Sequence, residues 1–255
     1  MRSREYESEF LNKIVIVTGG NRGIGRSIVL SFAKRGASVV FCYRSNEEKA
    51  CELIDLVQKQ KLPVYNFQAD LRFSDQVKKL ITSTMDRFGK IDILINNAGK
   101  FDKRPTQDIS DDIWEEILRV NLYSAFYCSR EVLPYMIAAK QGVIINIGSI
   151  AGKRGSAFHA HYAAAKGGLF ALTRSLAREV TKYNIRVNAI CPGRVDTDFL
   201  AEEKKSELDR WKTDTPIQRL AEPEEIAEVV VFLASQRASY IIGETIDVDG
   251  GLTMD

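Results

Sequence analysis

The chain predicts a doubly wound α/β fold: one seven-stranded parallel sheet with helices on both faces. Three observations carry that expectation. Short apolar runs alternate regularly with longer amphipathic runs, and the short runs are apolar throughout rather than at every second position. No Pro/Gly/Ser-rich linker or internal repeat divides the 255 residues. A strand that is apolar on both faces needs cover on both faces, which helices in strand–helix alternation supply.

Ile14–Thr18 (IVIVT) reads as the first strand. Gly23–Arg35 follows as a helix, with Ile24, Ile28 and Phe32 on one face. Ser38–Tyr43 (SVVFCY) is the second strand and Glu47–Lys59 a helix with a polar face. Val64–Phe67 is a short third strand, Ser74–Phe88 a helix, and Ile91–Ile95 the fourth strand. A long helical stretch runs from about Asp111 to Lys140, with Pro134 as its candidate break. Val143–Ile147 is the fifth strand, Tyr162–Tyr183 a helix, and Arg186–Ile190 the sixth strand. Glu224–Ser235 is helical and Thr245–Val248 closes the sheet. Residues 1–11 read as a tail and 12–255 as one domain.

The bulk numbers exclude several classes. Hydrophobic residues make up 45% and charged residues 27%, an ordinary globular balance. The net charge of +2 offers no field for nucleic acid or an anionic membrane. The opening MRSREYESEF mixes charges of both signs and lacks the apolar core of a signal peptide, and no apolar run is long enough to span a bilayer. Cys42, Cys51, Cys128 and Cys191 form no CxxC pair and read as reduced thiols. The expectation is a cytoplasmic protein. Only His159 and His161 are available as imidazole ligands, so no metal is expected.

Doubly wound sheets bind ligands at the carboxyl ends of their strands. The turn after the first strand is Thr18-Gly19-Gly20-Asn21-Arg22-Gly23-Ile24-Gly25. Glycines let a ligand approach the backbone, and the helix that follows offers free N–H groups and a positive dipole end to a pyrophosphate. The plainer alternative is a tight turn. At the end of the second strand, NAD sites place a carboxylate on the ribose 2′-hydroxyl, whereas NADP sites place a cation on the 2′-phosphate. Gly36 to Asn46 holds no carboxylate, and Arg44, with Arg22 nearby, supplies guanidinium charge. NADP(H) is therefore expected to be preferred, with NAD(H) use left open and surface solvation of either arginine the alternative.

Tyr162-Ala163-Ala164-Ala165-Lys166 is a YxxxK pair, which means little alone. Its context adds Ser149 thirteen residues earlier, Asn121 in the long helical stretch, Asn96-Asn97-Ala98-Gly99 after the fourth strand, and Pro192-Gly193 after the sixth with Thr197 beyond. Residues four apart share one helix face, so Tyr162 and Lys166 can enter one cleft. A carbonyl receiving a hydride needs a proton, and a phenol with an ordinary pKa of about 10 can give it. An ammonium about 4 Å away contributes about 4 kcal/mol at an effective dielectric of about 20, enough to draw that pKa toward neutrality. Ser149 can hydrogen-bond the substrate oxygen. Asn121 is locally disfavoured inside a helix, which marks it.

In this order and spacing, TGxxxGxG, NNAG, Asn, Ser, YxxxK and PG resemble the classical short-chain dehydrogenase/reductase family, over about Asn12 to Leu252. The closing Val248-Asp249-Gly250-Gly251 resembles its 3-oxoacyl-acyl-carrier-protein reductase branch. The resemblance implies a Rossmann-type domain and an NAD(P)-dependent oxidoreductase of carbonyls or alcohols. It implies Asn121, Ser149, Tyr162 and Lys166 as the catalytic set, with Asn121 holding a kink and a proton-relaying water. The cofactor is then held by Thr18, Gly19, Asn21, Arg22, Gly23, Ile24 and Gly25 in the first turn and by Arg44 and Ser45 in the second. Asp70 and Leu71 serve the adenine, with a simple turn or helix-cap aspartate as the other reading of Asp70. Asn97, Ala98 and Gly99, Tyr162 and Lys166, and Pro192, Gly193, Val195 and Thr197 complete the contacts. Two basic residues hold the acyl carrier in that branch. Lys140 stands at one matching position but Tyr183 at the other, so carrier binding is doubtful. A sugar or polyol dehydrogenase, glucose dehydrogenase-like, remains the alternative, and a non-catalytic cofactor-sensing protein a remote one. Extended relatives carry TGxxGxxG, which this chain lacks.

Substrate choice is expected to lie in Lys100–Asp108, Ile150–Ala160 and a lid at about 198–216 containing Trp211. Phe101, Phe158 and Phe199 are candidates to shape an apolar pocket. Lys153, Arg154 and Arg194 suit an anionic group or else are solvated, and His161 reads as structural or substrate-lining. The family associates through helices that here carry Leu122, Phe126, Tyr127, Leu169, Phe170 and Leu172 beyond one apolar stripe, so a homotetramer is expected, with packing inside one subunit the alternative.

Overall fold

A computed structural model describes residues 8–197 and 205–254. Its strands are β1 (Ile14–Thr18), β2 (Ser38–Tyr43), β3 (Val64–Gln68), β4 (Ile93–Asn96), β5 (Gly142–Ile147), β6 (Ile185–Pro192) and β7 (Thr245–Val248), all paired in parallel in the order β3-β2-β1-β4-β5-β6-β7. The helices are α1 (Gly23–Ala33), α2 (Glu47–Lys59), α3 (Ser74–Phe88), α4 (Asp111–Leu118), α5 (Ser124–Ala139), α6 (Ile150–Arg154), α7 (Ala160–Val180), α8 (Lys205–Asp214) and α9 (Pro223–Ala234).

Alternation along each strand explains the continuous apolar runs. Val15, Val17, Phe41 and Ile95 face one core with Ile28 and Phe32 of α1, Leu53 of α2 and Val230 of α9. Ile16, Val40, Leu94 and Ile144 face the other with Leu80 of α3, Val132 of α5 and Val180 of α7. Both faces of the central strands are thus dry, as a parallel sheet requires. Local chemistry sets several ends. Asn46 caps α2 by accepting from the Lys49 amide, and Gly89 ends α3 at φ +71° with its amide on the Met85 carbonyl. Pro223 opens α9, and the Glu225 carboxylate reaches back to the Glu222 amide.

Two expectations are corrected. The long helix does not break at Pro134, which sits inside α5. It breaks at Arg119–Tyr123, one turn of π-helix between α4 and α5. The extra residue of a π turn is accommodated by the polar side chain of Asn121, described below. Of the apolar residues assigned to association, Leu169 and Phe170 are buried within the chain, because they lie on the side of α7 turned to the sheet; Phe126 is exposed. Smaller shifts place β4 at Ile93–Asn96, start α7 at Ala160, extend β6 at both ends, and add α6, which lacked a periodic signal. Among the described residues no helix is long and apolar enough to cross a membrane.

Candidate active site

The connections from β1 and β4 leave in opposite directions, so a crevice opens at the carboxyl ends of these neighbouring strands. Its floor is the glycine turn. Gly19 and Gly23 have φ of +63° and +51°, in the left-handed region, and a Cβ on Gly25 would lie 2.2 Å from the Gly19 carbonyl oxygen. Arg22, the residue before α1, makes no side-chain cap, and the first turn of α1 holds no acid. A positive helix end with uncapped amides behind a turn that has no room for side chains fits a pyrophosphate.

The turn is latched from β4. Thr18 Oγ1 accepts from the amides of Asn97 and Ala98, both at 2.9 Å, and donates to the Ile95 carbonyl at 3.3 Å. Asn97 Nδ2 donates to the carbonyls of Thr18 at 2.9 Å and Gly19 at 3.0 Å. Asn21 Nδ2 ties the first turn to the second through the carbonyls of Ser45 and Asn46, at 3.3 and 3.1 Å. Ile24 packs on the core beneath, and Thr197 lies against Gly23, whose added Cβ would meet it at 3.3 Å. Gly193 donates to the Val248 carbonyl at 3.0 Å, and Val195 bridges to Ala221.

Arg22, Arg44 and Ser45 are exposed at the mouth of the crevice. Asp70 is a turn residue rather than a helix cap: its carboxylate accepts from the Arg72 amide at 3.1 Å and from Arg72 Nε at 3.0 Å. Burial alone would raise the Asp70 carboxyl, but the bonds and charge of Arg72, with Arg44 behind, hold it below its ordinary value. Arg72 continues to Glu116, which also takes Lys100 at 2.9 Å. Leu71 is buried.

The predicted catalytic residues converge at the end of β5. Ser149 caps α6, its hydroxyl accepting from the Ala151 amide at 3.2 Å, and lies near enough to Tyr162 to oppose the rise of its pKa. Lys166 is 4% exposed, its Nζ donating to the Ile147 carbonyl at 2.8 Å and lying 5.7 Å from the centre of the Tyr162 ring. Asn121 is 2% exposed. Its Nδ2 donates to the carbonyls of Ile117 at 3.0 Å and Lys100 at 2.8 Å, and its Oδ1 accepts from the Lys100 amide at 3.2 Å. A Cβ on Gly99 would sit 3.0 Å from Asn121 Oδ1, closer than an ordinary contact, and 3.8 Å from Lys166 Nζ, so a side chain there would crowd Asn121.

The expected lowering of the Tyr162 pKa is not what this geometry gives. Burial pushes the phenol up to about 12, with the Ser149 bond opposing and Cys191 adding to the rise. Burial pushes the Lys166 ammonium down to about 8. The reason is positional: the ammonium is held by the Ile147 carbonyl rather than by the phenol, and burial sets the direction for both groups.

On the substrate side, Phe101 stacks on His159 and meets the Tyr162 ring edge-on. Phe158 is exposed at φ +67°, and Phe199 lies outside the described residues, as do 198–204 of the expected lid; α8 forms the rest of its helix. The three candidate anion-binding cations are engaged within the chain. Lys153 reaches Asp247 at 2.7 Å, Arg154 the Leu252 carbonyl at 3.5 Å, and Arg194 both the Trp211 carbonyl at 2.7 Å and Asp214 at 3.6 Å. Asp102, the partner of the buried His161, and Arg72, the partner of Asp70, were not marked by any motif. The first pair is 59 residues apart in the chain, a separation that no local pattern reveals.

Comparison with known proteins adds independent findings. Residues 19–253 match the family model described as Enoyl-(Acyl carrier protein) reductase. The chain is 41% identical over 243 residues to the 3-oxoacyl-acyl-carrier-protein reductase FabG of Chlamydia pneumoniae, covering 95% of this chain and 98% of that one. It is 36% identical over 244 residues to FabG of Staphylococcus epidermidis, covering 96% and 100%. The crystal structure of gox2181 superposes with a TM-score of 0.92 at 31% identity, over 97% of this chain and 98% of that one.

Proposed function

The chain belongs to the short-chain dehydrogenase/reductase family, and from that premise we propose that it is an NADP(H)-preferring reductase of 3-oxoacyl thioesters. That it is an oxidoreductase of carbonyl or alcohol groups using a nicotinamide cofactor follows from the family. The observation that carries the reading is Lys166 Nζ 5.7 Å from the centre of the Tyr162 ring, with Ser149 beside that ring and Asn121 buried behind, next to a latched glycine turn.

The cofactor, when bound, exchanges a hydride with the substrate carbon. Thr18 to Gly25, Asn97 to Gly99, and Pro192, Gly193, Val195 and Thr197 would hold it, with Asp70 and Leu71 at the adenine and Ser45 beside Arg44. Arg44, with Arg22, supplies the positive charge that favours a 2′-phosphate. Ser149 fixes the carbonyl oxygen, and Tyr162 donates its proton to it. A phenol held at about 12 keeps that proton at neutral pH, the state that reduction needs. Lys166, an ammonium whose pKa burial lowers to about 8, is still mostly protonated at neutral pH and offers positive charge to Tyr162 as the phenol gives up its proton. Asn121 keeps the π turn and the Gly99 backbone in place around Lys166.

The relatives' names include the acyl carrier. Here Lys140 keeps a cation at one expected docking position and Tyr183 replaces it at the other, so the carrier contributes less to binding than the acyl thioester itself. Solubility, a cytoplasmic setting and a homotetramer belong to the same proposal. The test follows consumption of NADPH and NADH with 3-oxoacyl thioesters, simple ketones and sugars. Turnover of thioesters with NADPH is expected; turnover of sugars alone would overturn the substrate class, and tighter NADH binding the cofactor preference.

A further inference from the structure

Three separate contacts dock the segment after β4 onto the segment that leads into α7. The Phe101 ring stacks on His159 at 4.3 Å between centroids and meets Tyr162 edge-on at 5.2 Å. The Arg104 amide donates to the Phe158 carbonyl at 2.7 Å. Between these, Asp102 Oδ2 lies 3.2 Å from His161 Nε2.

The last contact stands out by its burial. His161 has no exposed surface, and its Nδ1 has no hydrogen-bond partner among the described residues. With a proton on Nε2 the ring donates to the carboxylate. Burying an imidazole with one nitrogen unsatisfied is unfavourable, so its single bond must fix something. Asp102 is held from the other side by Arg104 Nε at 3.2 Å, and burial, which would raise its carboxyl, is outweighed by the bonds from Arg104 and His161. What the pair fixes is the residue on either side of it in the chain: Phe101 precedes Asp102, and Tyr162 follows His161.

We propose that Asp102 and His161 are positioning residues that seat Phe101 against Tyr162, and that Phe101 is the wall limiting the size of substituent the reacting carbonyl carries past Tyr162. The pair does no proton chemistry. It joins the two backbone segments one residue away from each ring, so drawing the segments apart at Phe101 and Tyr162 strains the Asp102–His161 bond. Aromatic walls discriminate by the space they deny, and a few methylenes in such a pocket change relative rates by about tenfold or more.

The inference rests on carbonyl reduction by this site, so the test has one arm that needs no turnover. In Asp102→Ala, hydrogen exchange at the Arg104 amide should accelerate while amides of β1 and β4 keep their protection. Asp102→Asn, which can still accept from Nε2–H, should restore the slow exchange. In the second arm, kcat and KM are measured over carbonyl substrates of graded length. Phe101→Ala should relax selectivity between the shortest and longest by about tenfold, through KM. Asp102→Ala should do the same in part, and should add nothing in the Phe101→Ala background. Unchanged exchange in Asp102→Ala overturns the positioning pair. Unchanged selectivity in Phe101→Ala, or a loss of kcat that is uniform over the series, overturns the wall. If the unmodified protein reduces no member of the series, the carbonyl-reductase reading fails and the wall with it, while hydrogen exchange still judges the pair.

Discussion

Replacing Asn121 with alanine removes three hydrogen bonds from a site where little water can substitute. The Ile117 carbonyl loses its 3.0 Å donor inside the helix, and the Lys100 carbonyl and amide lose partners at 2.8 and 3.2 Å. An unsatisfied buried carbonyl costs about 1–3 kcal/mol, and each of the half-buried Lys100 groups about 0.5–1 kcal/mol. The expected destabilisation is about 2–5 kcal/mol, which for a domain of this size lowers Tm by roughly 4–20 °C. The same bonds hold the π turn beside Gly99 and Lys166, so kcat should fall more than the thermal loss explains. Thermal unfolding by circular dichroism and initial rates at a temperature well below both transitions separate the two effects. A Tm within about 1 °C of the unmodified protein, with kcat retained, would falsify the argument that Asn121 supports the π turn.

Further expectations concern cofactor, proton and assembly. Arg44→Asp should weaken NADPH binding and narrow or reverse the gap to NADH, read by fluorescence titration. Gly25→Ala places a Cβ 2.2 Å from the Gly19 carbonyl oxygen and should cost at least about tenfold in cofactor affinity with the far-UV spectrum unchanged; undiminished binding would show that the glycine turn is no cradle. Tyr162→Phe should abolish turnover yet bind cofactor, whereas Lys166→Ala should lose both. Lys166 also leaves a stability signature. Its folded pKa of about 8 lies below the ordinary 10.5, so the unfolded chain binds more protons between these values and stability should rise with pH across that window. Lys166→Met should remove the rise, as urea unfolding at either end of the window would show. Phe126 is exposed and Leu122 and Tyr127 half-buried, so light scattering should give about four times the 28.7 kDa of one chain; a mass near one chain ends the tetramer proposal.

The architecture was legible in the sequence because its signals are local. Continuous apolar strands, amphipathic helices and the glycine turn each announce themselves within a few residues, and the order of motifs identified the cleft. Asn121 was visible as a residue that its helix disfavours. Pro134 misled, since a proline inside a helix ordinarily breaks it, yet α5 carries it and the chain instead yields at Arg119–Tyr123. The tertiary structure decided whatever depends on distance between remote residues. It buried Tyr162 and so raised rather than lowered its pKa, because burial is a property of the surroundings and not of the YxxxK spacing. It turned Leu169 and Phe170 inward, engaged Lys153, Arg154 and Arg194 within the chain, and gave His161 its carboxylate. Spacing along the chain places side chains on a face; only packing between segments sets which charges meet and how much water remains around them.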